Sequence, residues 1–152
     1  MPESQIIFSR FRINGLELKN RITMAPLFLG YANPDGTASP LLLEHYREMA
    51  SSGASMIVVE NAAVHISGLG SPFVLRADDD RFIPGMGDLA KVIKKEGAVA
   101  FLQINHAGRY AYTAERIAPS PFHLFLFTVG GQAGSCERIP QVCCDFAFLK
   151  SL

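Results

Sequence analysis

The stretch Ala98-Val99-Ala100-Phe101-Leu102-Gln103-Ile104-Asn105-His106-Ala107-Gly108-Arg109 constrains this chain most. It starts as a short apolar run bounded by Gly97 and ends in closely spaced polar groups. A run with apolar residues on both faces reads as a buried strand, most simply one in a parallel sheet. Gln103 is the polar side chain inside it. Its amide needs a hydrogen-bonding partner, because burying it unpaired costs about 1–3 kcal/mol. That partner is either a ligand at the carboxyl end of the strand or a backbone group in the next loop.

The preceding chain supplies the neighbours such a strand needs. Residues 11–18 alternate apolar and polar around Asn14-Gly15, the pair preferred in a two-residue type I′ turn. They are expected to form a small hairpin that caps the fold. Residues 21–25 read as a strand stopped by Pro26, and residues 30–38 as a loop. Ser39-Pro40 opens a helix, with Ser39 as cap and Pro40 at the first helical position. Leu42, Tyr46, Met49 and Ala50 form its buried stripe, Glu44, Arg47 and Glu48 face outward, and Gly53 ends it.

Residues 55–59 read as a second buried strand ending at Glu60-Asn61, and residues 61–79 as a long loop. Gly68-Leu69-Gly70 lacks the third glycine and the following helix of a dinucleotide fingerprint. Asp78-Asp79-Asp80 precedes a helix at about 82–96 whose apolar face is Leu89, Val92 and Ile93. Capping and solvation are the expected use of these acids, with metal ligation the alternative. Lys91, Lys94 and Lys95 towards the far end suit the helix dipole.

Hairpin, strand, helix, strand, helix, strand implies right-handed βαβ units on a parallel sheet. Ligands in such folds bind at the carboxyl ends of the strands. Those ends are Ala25-Pro26-Leu27, Glu60-Asn61 and Gln103 to Arg109.

At 152 residues the chain has the size of one domain. Lys+Arg and Asp+Glu balance at 14 each, which gives no electrostatic case for nucleic acid or an anionic membrane. No run approaches the ~18 apolar residues of a membrane span. The N-terminus lacks the pattern of a secretory signal. Cys136, Cys143 and Cys144 match no metal knuckle or disulfide framework. A cytoplasmic location is the expectation.

Three motifs in order, Asn20-Arg21-Ile22-Thr23-Met24-Ala25-Pro26-Leu27, Val59-Glu60-Asn61 and Gln103-Ile104-Asn105-His106-Ala107-Gly108-Arg109, resemble the Old Yellow Enzyme family of FMN-dependent oxidoreductases. The likeness runs over about residues 5–120, nearest to the NADH:flavin oxidoreductase and 2,4-dienoyl-CoA reductase branch. The resemblance implies the N-terminal portion of a TIM (β/α)8 barrel, about three βα units plus a bottom-capping hairpin. It also implies FMN, with NAD(P)H as reductant. A small-molecule substrate, an activated C=C, would receive the hydride. Ala25, Pro26 and Leu27 would line the flavin ring. Gln103 would bond its pyrimidine edge, and Asn61 would bond or crowd it. Phe28 stands where relatives often carry a polar Thr or Cys, so it brings no donor.

His106 is read either as catalytic or as the residue that holds its own turn, the latter preferred. Arg109 is expected to pair with an acid or a carbonyl. Tyr31 is a weak substrate contact, and His45 and Tyr46 are packing or surface residues. His65 has no partner legible in the sequence, and no residue is assigned as the catalytic proton donor.

The likeness ends near Ala118-Pro119-Ser120-Pro121. A complete barrel needs ~250 residues. Residues 1–121 are therefore expected to be barrel and residues 122–152 an atypical tail, such as a frameshift produces. The fragment would be inactive alone. The alternatives are a natural half-barrel whose tail packs on the open edge, or a non-catalytic half-barrel that binds a complete relative. The apolar Phe122–Val129 run motivates the docking alternative, and the exposed edges of three parallel strands motivate a further expectation, self-association through the open barrel edge.

Overall fold

A computed structural model describes residues 5–114 and 116–118, together with short strands at Glu137–Arg138 and Phe148–Leu149. Phe11–Ile13 (β1) and Leu16–Leu18 (β2) form an antiparallel hairpin. Asn14 (φ 42°) and Gly15 (φ 88°) turn it with the two positive φ values the Asn-Gly pair predicts. Asn20 Nδ2 donates to the Gly53 carbonyl, and Lys19 Nζ to the Glu96 carbonyl. Both acceptors precede sheet strands, so the hairpin caps the amino ends of the strands, as expected.

Thr23–Met24 (β3), Met56–Ala63 (β4) and Val99–Asn105 (β6) lie side by side in one parallel sheet. Leu75–Arg76 (β5) pairs parallel with the end of β4 at Ala62 and Ala63. Helix α1 (Pro40–Ser51) crosses from β3 to β4, and α2 (Ile83–Lys95) leads into β6. This is the expected βαβ order, and the core is one layer between helices and sheet. Leu42, Tyr46 and Ala50 of α1 and Leu89, Ala90 and Ile93 of α2 meet Ile57, Val59, Ala62, Ala100 and Leu102.

Several elements differ from the sequence expectation for identifiable reasons. The first strand is paired only at Thr23 and Met24, because Pro26 cannot continue a ladder. The second strand runs past Glu60 to Ala63, and the long loop after it contains β5. Burial along β6 alternates: Ala100 and Leu102 are buried, whereas Val99, Phe101 and Gln103 are half-buried. The helix-facing side is covered, and the side facing the axis of a barrel is only partly so. Phe148–Leu149 (β9) pairs antiparallel with Leu102 and Gln103, so the outer edge of β6 is occupied there. Ile117–Ala118 (β7) pairs with Glu137–Arg138 (β8). The rest of the expected tail, including Phe122–Val129 and the cysteines, lies outside the described residues. Among the described residues, no helix is long and apolar enough to cross a membrane.

The start of α1 behaves as its residues dictate. Ser39 Oγ accepts the Leu42 N–H at 3.1 Å and donates to the Tyr31 carbonyl. Ser39→Ala removes both bonds. The expected cost is about 0.5–2 kcal/mol, read as a lower midpoint in urea unfolding; an unchanged midpoint would show that the cap contributes nothing.

Candidate functional site

The site follows from a bulge. Val59 pairs with Leu102 and Ala62 with Ile104, so Glu60 and Asn61 together oppose Gln103. An extra residue in one strand reverses the facing of all that follow. Ile57 and Val59 pack on the helices before the bulge, and Ala62 does so after it. Asn61 is thereby turned to the opposite side, into an open cavity of about 350 Å3 lined by Phe28, Asn61, Gly70, Ser71, Gln103 and Asn105. The cavity is at the carboxyl ends of the strands, where the topology predicts a ligand.

Of the expected site residues, Asn61 and Gln103 are brought together on this lining. Gln103 has no side-chain hydrogen bond to any described residue. Ala25, Pro26 and Leu27 are not on the lining. They form the segment between β3 and Phe28, and Leu27 is 61% exposed. Phe28 lines the cavity as an apolar wall.

Glu60, the other bulge residue, was not singled out by the sequence beyond its place in a motif. It is fully buried. Oε2 accepts the Leu29 N–H at 2.8 Å, while Oε1 has no partner among the described residues. Its own N–H donates to the Tyr46 hydroxyl at 2.7 Å, so Tyr46 is a buried strut from α1 to the bulge. Burial pushes the Glu60 carboxyl above the ordinary glutamate range, opposed by the Leu29 N–H. It also pushes the Tyr46 hydroxyl up.

The loops above the cavity are tied by a relay. His106 Nδ1 accepts the Gly108 N–H, so the ring proton sits on Nε2 and is donated to Ser67 Oγ at 3.1 Å. Ser67 Oγ then donates to His65 Nδ1 at 2.7 Å, which also accepts the Ser67 N–H. The two rings stack at 6.5 Å. Gly68 permits this approach, since a Cβ there would lie 2.5 Å from the His106 ring. Further bonds run from the Ala107 N–H to the Gly68 carbonyl and from the Tyr112 N–H to the Leu69 carbonyl. His106 thus ties the two loops together, and His65 gains the partner the sequence did not reveal. Its signal was local: a His, a Ser two residues on, then a glycine.

The remaining candidates stand aside from the cavity lining. Arg109 donates to the Tyr110 hydroxyl at 2.9 Å and lies over that ring. Tyr31 packs edge-on against His45. Asp78 forms a two-pronged ion pair with Arg76, and Asp79 caps the turn before α2 by accepting the Arg81 N–H.

The comparisons with known proteins fit this geometry. The family model described as NADH:flavin oxidoreductase / NADH oxidase matches residues 6–133. The chain belongs to that family. A metal reductase of Desulforamulus reducens is 39% identical over 147 residues, covering 93% of this chain and 22% of the relative. An NADH oxidase of Thermoanaerobacter brockii is 37% identical over 121 residues, covering 76% and 19%. The structure of an old yellow enzyme homologue from Zymomonas mobilis superimposes with a TM-score of 0.77 at 24% identity, over 88% of this chain and 39% of that one. The Old Yellow Enzyme resemblance is borne out, and the fold is that of part of its barrel. The chain spans about a fifth of the length of these two curated relatives. Members of this family of oxidoreductases use FMN, with NAD(P)H as reductant.

Two of the perturbed groups, His106 and Glu60, give opposite pH signatures. Burial and the neighbouring His65 hold His106 below the ordinary histidine value of 6.5. The unfolded chain therefore takes up that proton first. The His106 contribution is complete above 6.5 and is lost as pH falls through the lowered value. Glu60 is raised, so its contribution is present at acid pH and is lost as pH rises through the raised value. The thermal midpoint of His106→Asn is expected to fall less than that of the wild type between about pH 7.5 and 5.5. Glu60→Gln is expected to gain on the wild type as pH rises above the ordinary glutamate value of 4.5. Parallel pH curves for wild type and either variant would remove that residue from the account.

Proposed function

We propose that the cavity holds the pyrimidine edge of the FMN isoalloxazine, in an NAD(P)H-dependent oxidoreductase that reduces an activated C=C. The observation that carries this reading is Gln103: a side-chain amide at a strand end, facing an open cavity, with no described partner. An amide offers donors and an acceptor in one plane, which matches the alternating groups of an imide edge. Asn61 stands beside it from the adjacent strand. Phe28 supplies an apolar wall, and Ala25, Pro26 and Leu27 lead up to it from β3 without lining the cavity themselves. FMN, when bound, relays hydride between the nicotinamide and the acceptor. The chain's own part is to orient the ring edge and to stabilise charge that develops there on reduction.

The six lining residues include no cation. The flavin phosphate and the substrate oxygen therefore need groups from further strands of a barrel. We infer that this chain alone binds FMN weakly and does not turn over NADH. Docking on a complete relative through the β6 edge is disfavoured, because β9 pairs with it at Leu102 and Gln103.

Two measurements test this. Quenching of FMN fluorescence by the chain is expected, and Gln103→Leu should weaken it about tenfold with the thermal midpoint unchanged, since one lost hydrogen bond is worth ~0.5–1.5 kcal/mol. An unchanged FMN affinity with a lower midpoint would retire Gln103 as a flavin ligand. Bleaching of FMN by NADH in the presence of the chain would overturn the inference of inactivity.

A further inference from the structure

We propose that Glu60 is the positioning residue that fixes the segment leading to Phe28, the apolar wall of the cavity, acting through the Leu29 amide. The inference rests on the cavity being the flavin site, and its structural part stands on the following geometry.

The edge of β4 away from β6 has two strand partners. Thr23 and Met24 pair with Met56 and Ile57, and Leu75 and Arg76 pair with Ala62 and Ala63. Val58 to Asn61 fall between them without a paired residue on that edge. The segment 25–29 passes this gap. Pro26 has no N–H, so it cannot donate to a backbone ladder there. The bond across the gap comes instead from a side chain: Glu60 Oε2 accepts the Leu29 N–H at 2.8 Å. Leu29 is adjacent to Phe28, which lines the cavity, and Gly30 at φ 70° turns the chain away just beyond. The wall is thus held at Met24 by the sheet and at Leu29 by one carboxyl oxygen.

Glu60 is itself held. Its backbone N–H is bonded to the buried Tyr46 hydroxyl, and it shares the bulge with Asn61, opposite Gln103. The residue that fixes the wall and the residues that line the cavity therefore sit on one rigid unit. The role needs a carbonyl-type acceptor at the Oε2 position and does not need a negative charge. Glutamine can supply that acceptor, and alanine cannot.

The test is amide hydrogen exchange on the full chain, read residue by residue, for the wild type, Glu60→Gln and Glu60→Ala, with FMN quenching on the same samples. In the wild type, the Leu29 amide is expected to exchange at least about tenfold more slowly than that of Phe28, corrected for intrinsic rates. That comparison needs no variant to fold. Glu60→Ala should erase the difference, and Glu60→Gln should keep it to within about twofold. FMN affinity should fall about fivefold in Glu60→Ala and return in Glu60→Gln, which a purely structural loss would not reproduce selectively. Equal exchange at Leu29 and Phe28 in the wild type overturns the proposal. So does a Glu60→Gln variant that loses Leu29 protection, or a folded Glu60→Ala that keeps it. Loss of Leu29 protection in Glu60→Ala without FMN quenching in any sample would leave Glu60 holding the wall and sink the flavin reading alone.

Discussion

The pairing of β4 with β6, and the bulge within it, is the constraint on which the rest of this structure depends. Up to Val59 the two strands are in simple register, and their alternate residues pack on α1 and α2. One extra residue at Glu60–Asn61 then reverses the facing. Without that step Asn61 would not share a face with Gln103, and the carboxyl end of the sheet would present no paired amides. Bulges commonly re-aim side chains beside functional sites, and here the bulge both opens a polar cavity and buries a carboxyl group behind it.

Three layers of support converge on that point. From the helix side, Tyr46 reaches across the core to the backbone of Glu60. From the neighbouring segment, Leu29 donates to its side chain. From above, the loops after β4 and β6 are joined through His65, Ser67 and His106, with Gly68 small enough to let the ring in. Gly70 and Ser71, which line the cavity, follow directly on this tied loop. The polar contacts at the carboxyl end thus belong largely to one connected arrangement, while the hairpin secures the amino end.

Much of this was legible in the sequence. Asn14-Gly15 specified its turn through two positive φ values, and Ser39-Pro40 specified a helix start through a side-chain cap and a preset φ. The apolar periodicity of 42–50 and 89–93 specified which helix faces would be buried. Three motifs at the right spacing identified the family. Gln103 stood out because a polar side chain in an apolar strand needs a partner. The burial of Tyr46 was legible in that stripe, but the partner of its hydroxyl was not, because a tyrosine on an apolar stripe reads the same whether its hydroxyl reaches water or a backbone N–H. Nor was the pairing of His65 with His106, which are far apart in sequence.

The sequence by itself determined the elements, their order and the end of the sheet where a ligand belongs. Those follow from local backbone preference and from the period of apolar residues, which act within a few positions of one another. Only the tertiary structure decided the register between β4 and β6, and with it which of Glu60 and Asn61 faces the cavity. A bulge is a property of two strands held together, and a residue's facing beyond it depends on a partner more than 40 positions away in the chain. The same holds for the carboxyl of Glu60, whose burial and single hydrogen bond exist only once helix, strand and wall have closed around it.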